Sequence, residues 1–139
     1  MKKAPLLNAE LSYIIAKLGH QDQLCIGDAG LPIPDSCQRL DLALTKGIPS
    51  FIDTVKAVLG EMQIEAVTLA EETLSHSPQL HAQLLQLIQQ QEQLSGQLIR
   101  LNLLSHETFK QQTASAKAVV RTGEFTPYAN VIFHAGVVF

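Results

Sequence analysis

Three side chains stand where proton transfer or ligand binding would be expected. His20 follows Gly19 in a tight connection between a helical stretch and the apolar run Leu24-Cys25-Ile26. A loop histidine on a rigid scaffold is well placed for function, and an imidazole both gives and takes protons near neutrality. The same position also suits a solvated or helix-capping histidine. Asp28 lies between Gly27 and Ala29-Gly30, and such small neighbours let a ligand come close. An aspartate there can equally fold back on its own turn. His106 follows Ser105 at a helix start, where free backbone N–H groups favour an anionic or hydroxyl-bearing ligand. It also reads as a first-turn surface residue. Near the end, Gly123 to Asn130 forms a polar turn carrying Tyr128 and Asn130. Their hydroxyl and amide groups both donate and accept, which suits a neutral polyhydroxyl ligand. An ordinary turn with a half-buried tyrosine fits as well.

Other candidates are weaker. His76 and His81 flank the start of a glutamine-rich helix and read as surface residues, and His134 in an apolar run reads as a hydrogen-bonded core residue. No histidine pair has metal-ligand spacing, so no metal is expected. There is no glycine-rich dinucleotide fingerprint, phosphate loop or nucleophile elbow.

Helices alternating with strands must position these groups. Asn8 caps a first helix with a Leu11, Ile14, Ile15, Leu18 stripe that Gly19 stops. Ser50 with Asp53 resembles a capping box. Ser77-Pro78 opens the glutamine-rich helix, with Ser77 as its cap, and Gly96 ends it. Ser105 caps a short helix carrying Phe109. Strands are expected at Leu24–Ile26, Arg39–Leu44, Ile64–Leu69, Leu98–Leu104, Ala118–Arg121 and Val131–Phe139. The pattern predicts an α/β fold over residues 1–139, a single domain with a largely parallel sheet flanked by helices. Ligands gather beyond the carboxyl ends of such strands, so the segments after Ile26 and after Leu104, and wherever the C-terminal segment comes near, are the places to look.

The 139 residues fit one domain. Only 17% are charged, below the usual quarter, which suggests a surface partly covered by copies of itself. The apolar C-terminus points the same way. Net charge is −3, with no basic run to draw nucleic acid. No apolar run reaches the ~20 residues a membrane helix needs, and the N-terminus does not read as a secretory leader. Cys25 and Cys37 form no framework and read as reduced, packed thiols of a cytoplasmic protein.

The blocks Leu18-Gly19-His20, Gly27-Asp28-Ala29-Gly30-Leu31-Pro32-Ile33-Pro34, Arg39-Leu40-Asp41-Leu42-Ala43-Leu44, Gly47-Ile48-Pro49-Ser50-Phe51, Ser105-His106-Glu107, Arg121-Thr122-Gly123-Glu124 and Pro127-Tyr128-Ala129-Asn130 closely resemble the ribose pyranase branch of the ribose pyranase/fucose mutarotase family. The resemblance spans nearly the whole chain; the glutamine-rich helix is its least family-like part. It implies a cofactor-independent isomerase that interconverts β-pyranose and β-furanose forms of D-ribose. It implies His20 as proton donor and Asp28, His106, Tyr128, Ala129 and Asn130 as sugar-binding residues. Asp28 would orient His20 or bind sugar hydroxyls. The resemblance further implies a ring-shaped homodecamer whose sites lie at subunit contacts, with Tyr128 and Asn130 supplied by a neighbour. Competing expectations are a non-catalytic sugar-binding accessory protein of a ribose uptake system, a fucose mutarotase and, least supported, a metal hydrolase.

Overall fold

The computed structural model describes all 139 residues. Its six strands are β1 (Gln23–Gly27), β2 (Gln38–Asp41), β3 (Ile64–Ala70), β4 (Arg100–Leu104), β5 (Ala118–Arg121) and β6 (Val131–Ala135), and they form one sheet in the order β2-β5-β1-β6-β3-β4. All neighbouring pairs are parallel except those made by β6, which runs against both β1 and β3. Five strands therefore end on one edge of the sheet, where β6 begins. The helices are α1 (Ala9–Lys17), α2 (Phe51–Leu59), α3 (Glu71–His76), α4 (Pro78–Ser95) and α5 (His106–Gln112).

Strand periodicity divides the core between two faces. Leu24, Ile26, Val120, Val131 and Phe133 point to one side, where Leu11 of α1, Phe51, Val55 and Val58 of α2, and Leu84 and Ile88 of α4 complete a cluster of 24 buried side chains. Cys25, Val119 and Ile132 point to the other, where Phe109 of α5, Leu31 and a few neighbours make a cluster of only 7. The α/β layering is thus lopsided, and α5 with the Leu31 segment forms a thin cover on the second face.

Local chemistry explains the element ends. The side chains of Asn8, Ser50 and Ser105 accept from the N–H groups of Leu11, Asp53 and Thr108, as N-caps should. Gly96 closes α4 in the left-handed conformation. Three expectations need correction, and one helix, α3, was not expected. β2 stops at Asp41 because its carboxylate accepts the Ala43 N–H at 3.0 Å and turns the chain. The six-residue α3 is too short to show a periodic stripe. Ser77 does not cap α4; its hydroxyl donates to the Pro127 carbonyl at 2.7 Å. β6 stops at Ala135 rather than running to Phe139, and Val138 and Phe139 are exposed on this subunit.

Candidate active site

The carboxyl edge of the sheet gathers most of the expected residues. Asp28 follows the last residue of β1, and Asn130 precedes the first of β6, which is antiparallel to it. The two side chains lock together. The Asp28 N–H donates to Asn130 Oδ1 at 2.9 Å, and Asn130 Nδ2 donates to Asp28 Oδ2 at 3.0 Å. The remaining carboxylate oxygen accepts the Gly30 N–H at 2.8 Å. Asn130 is fully buried, so this pairing satisfies an amide that would otherwise be costly inside the protein. Gly27 makes room for it, since a Cβ there would stand 3.1 Å from Asn130 Oδ1 and 2.5 Å from a Leu31 methyl.

Tyr128 adopts φ 60°, one of two non-glycine residues in the left-handed region, a conformation held only when the surroundings enforce it. They do so here. The Tyr128 carbonyl accepts the Thr73 hydroxyl at 3.0 Å and the Asn130 N–H at 2.8 Å, and Ser77 holds the preceding carbonyl. Helices α3 and α4 thereby clamp the turn. The Tyr128 ring lies between two imidazoles, with centroids 4.8 Å from His76 and 4.9 Å from His106, the latter edge-on. The His106 N–H donates to Glu72 Oε2 at 2.9 Å. Bonds from its own N–H and from that of His106 keep the Glu72 carboxyl below its ordinary range. His106 Nδ1 is buried and has no hydrogen-bond partner. A native structure seldom leaves such an atom unpaired without a use for it.

Glu124 secures the outer wall. Its carboxylate accepts the Phe125 and Thr126 N–H groups, the Thr126 hydroxyl and the Phe51 N–H at the start of α2. Burial pushes its pKa up, but these four bonds outweigh that and hold it below the ordinary value. Arg121 donates through Nε to the Ala29 carbonyl and through Nη1 to both oxygens of Asp41. An open cavity of about 380 Å³ is lined by Asp28, Ala29, Gly30, Arg121 and the Glu124–Pro127 turn, a size that suits a small ligand. Ala129 is fully buried beneath the turn, with its N–H on the Thr126 carbonyl. No group of three or more His, Cys, Asp or Glu side chains is arranged to hold a metal ion.

His20 is elsewhere. It sits in the turn that precedes β1, at the opposite edge of the sheet. There the Asp22 carboxylate accepts the Gly19 N–H at 2.9 Å, and Gln21, the second left-handed non-glycine residue, donates its N–H to the Ala135 carbonyl. The His20 Nε2 lies 2.7 Å from Glu65 Oε2. The five residues of β1 separate His20 from Asp28, about 16 Å at the strand rise of ~3.3 Å per residue.

One expectation is corrected by this placement. Within one chain Asp28 cannot orient His20, because a whole strand intervenes. Each chain packs its own Asn130 on Asp28 and its own Tyr128 on His106, so these four residues share one edge, apart from His20 of the same chain. His81 is also not a surface residue: it is 6% exposed and neither ring nitrogen has a partner. His134 does read correctly, hydrogen-bonded to Thr68 at 2.9 Å. Sequence reasoning missed Glu65, Glu72, Thr73 and Glu124, and read His76 as a surface residue without its contact to Tyr128. A strand Glu and short-helix polar residues carry no local signal, although Glu124 lies in the turn already singled out.

Comparison with known proteins adds an independent line. Residues 1–138 match the model of the RbsD / FucU transport protein family. The chain is 63% identical to the D-ribose pyranase of Photobacterium profundum and 58% identical to that of Vibrio cholerae, in each case over all 139 residues and the full length of the relative. The solved structure of Bacillus subtilis RbsD complexed with D-ribose superposes with a TM-score of 0.90 at 46% identity, covering both chains completely. A fucose mutarotase from Streptococcus pneumoniae, solved with L-fucose, shares the fold at a TM-score of 0.79 and 21% identity, again over both full chains.

Proposed function

This chain belongs to the RbsD / FucU transport protein family, and from that premise we infer that it is a D-ribose pyranase, an isomerase that interconverts pyranose and furanose forms of the sugar. The observation that carries this reading is the reciprocal Asp28–Asn130 pair, in a chain that matches D-ribose pyranases from end to end. Its amide and carboxylate are fixed in advance, and next to Asn130 stands a tyrosine packed on a histidine whose Nδ1 awaits a partner. Such fixed donors and acceptors suit a ligand made of hydroxyl groups.

The reaction needs modest chemistry. Opening the pyranose puts a proton on the ring oxygen as its bond to the anomeric carbon breaks. The anomeric hydroxyl loses a proton and becomes the aldehyde carbonyl. Closure through O4 instead of O5 reverses both transfers, so no proton or electron is gained or lost overall. A positioned acid supplies about 10²–10⁴-fold acceleration. In our reading His20 gives the ring oxygen its proton. Asp28, His106, Tyr128 and Asn130 hold the sugar, and the buried Ala129 shapes the floor of the turn.

One subunit holds its binding residues and its proton donor at opposite edges of the sheet, and this supports a site shared between copies. His20 of one subunit would face the Asp28 edge of the next within a ring-shaped homodecamer in the cytoplasm. The two free cysteines accord with that reducing compartment.

The test is NMR magnetisation exchange on D-ribose at equilibrium. Catalytic amounts of protein should speed exchange between pyranose and furanose signals, with L-fucose exchanging more slowly. Line broadening without added transfer would instead mean a binding protein. Co-assembly of His20→Ala with Asp28→Ala subunits tests sharing. Random mixing around a symmetric ring makes roughly a quarter of shared sites whole, so activity should return. Two silent parents and a silent mixture would mean that each site lies within one chain.

A further inference from the structure

We propose that Glu65 is a positioning residue for His20: it holds the ring by Nε2 and leaves Nδ1 as the nitrogen that meets the sugar. The inference rests on His20 being the proton donor, and it adds the group that aims the ring.

Three observations on the amino edge of the sheet converge on it. The first is the contact, 2.7 Å between His20 Nε2 and Glu65 Oε2. The His20 side chain is 51% exposed and that of Glu65 25%, so the histidine reaches outward from a carboxylate that is itself mostly enclosed. The second is the backbone of β3. Its pairing with β6 slips between Ile64 and Ala66, which makes Glu65 the extra residue of a β-bulge. A regular strand alternates its side chains between faces, whereas a bulge re-aims the side chain it carries, and bulges gather beside active sites. The third is Gly136, just past the end of β6. A Cβ there would lie 3.3 Å from both the Cβ and the N of Glu65, so the missing side chain at 136 leaves room for the bulge. The second carboxylate oxygen, Oε1, faces Arg100 Nη2 at 3.6 Å, which draws it to the side away from His20.

The chemistry follows from the pairing. A carboxylate only accepts hydrogen bonds, so Nε2 carries the proton shared with Glu65. The bond made by one ring nitrogen sets the state of the other. When the ring carries both protons, Nδ1 is therefore the nitrogen that gives its proton to the ring oxygen, which leaves the neutral Nε2–H form on Glu65, and Nδ1 takes a proton back from the O4 hydroxyl as the furanose closes. Without this anchor the exposed ring rotates freely and both tautomers occur. Removing a carboxylate that orients a functional imidazole typically costs 10- to 100-fold.

The experiment compares wild-type protein with Glu65→Gln, Glu65→Asp and His20→Ala, reading ribose exchange at several sugar concentrations and the ¹⁵N signals of His20. In wild type the neutral form of His20 should be the Nε2–H tautomer. Glu65→Gln should lower kcat roughly 10- to 100-fold with KM within twofold, and should mix the tautomers. Glu65→Asp should restore part of kcat and of the tautomer preference. A wild-type His20 in the Nδ1–H form overturns the proposal even if no variant folds, as does Glu65→Gln with full kcat. If His20→Ala itself keeps full activity, the fault lies in the assignment of His20 as donor. If His20→Ala is inactive while Glu65→Gln is normal, only the role of Glu65 fails.

Discussion

The two edges of the sheet are built by different rules. At the carboxyl edge, Asp28, Asn130, Tyr128 and Glu124 are held by several bonds each, made among the turns that flank β1 and β6 and with Phe51 of α2 and Thr73 of α3. At the amino edge, His20 projects from a turn with Glu65 as its one side-chain partner. The first edge is preorganised inside one subunit, where its cost can be offset by burial. The second is left open, with the His20 side chain half exposed. On the reading proposed above, binding is prepared within one subunit, and the proton donor meets that edge from a neighbouring copy.

The sharpest way to break this contrast is at the open edge. His20→Ala should reduce kcat by about 10²–10⁴-fold while leaving the fold almost untouched. An exposed ion pair contributes about 0–1 kcal/mol, so the melting temperature should move by a few degrees at most. A large drop in thermal stability would show that His20 belongs to the folded framework and not to the reacting edge.

The closed edge should behave in the opposite way. Asn130→Ala leaves the Asp28 N–H and Oδ2, both in a half-buried setting, without their partner. That costs about 1–3 kcal/mol of stability and should raise KM for ribose about tenfold or more, measurable by denaturant unfolding and by exchange kinetics. Equal loss of stability in His20→Ala and Asn130→Ala would erase the distinction between the edges.

A finer probe is Thr73→Val, which keeps the side-chain shape and removes only the hydroxyl on the Tyr128 carbonyl. The strained φ of Tyr128 then has one restraint fewer. We expect about 1 kcal/mol of destabilisation and a several-fold rise in KM, with kcat unchanged. A crystal structure in which Tyr128 keeps its conformation and KM is unaltered would show that the Asn130 N–H suffices to hold the turn.

The same contrast separates what could be read in the sequence from what could not. The residues of the closed edge were legible because local grammar marks them. Gly27-Asp28-Ala29-Gly30 is a turn after an apolar strand, Ser105-His106 a helix start, and Pro127 to Asn130 a turn before the last strand. The rule that ligands collect at carboxyl strand ends marked the segments after Ile26 and after Leu104, whereas their meeting with the C-terminal turn was implied only by the family resemblance. The layout of the open edge was not legible. His20 could be singled out, but its distance from Asp28 depends on strand direction, and Glu65 owes its aim to a bulge made possible by a glycine 71 positions later. The reversal of β6 within an otherwise parallel sheet, which brings Asn130 to Asp28, leaves no trace in periodicity. His81 was misread for a related reason: its polar type argued for the surface, and only the packing of α4 decides that it is buried.

His81 also offers the smallest effect and a pH-dependent one. Burial without a partner lowers its pKa from the ordinary value near 6.5, and burial likewise lowers that of His134. In both cases the unfolded chain binds the proton more readily than the folded one. The contribution to stability is therefore fully present above about pH 6.5 and is lost as pH falls from there through the lowered folded value. Glu72 and Glu124, also lowered, act by the same sign in a more acidic window, from their ordinary range near pH 4.5 downwards. Urea unfolding of wild type should thus weaken in two stages, one beginning near pH 6.5 and one near 4.5. His81→Leu removes two unpaired buried nitrogens, so it should not destabilise the protein at pH 7 and should shrink the first stage while leaving the second intact. Because none of these groups touches Asp28 or His20, ribose exchange by the folded His81→Leu protein should be unchanged. A first stage of full size in that variant would assign it to His134 alone.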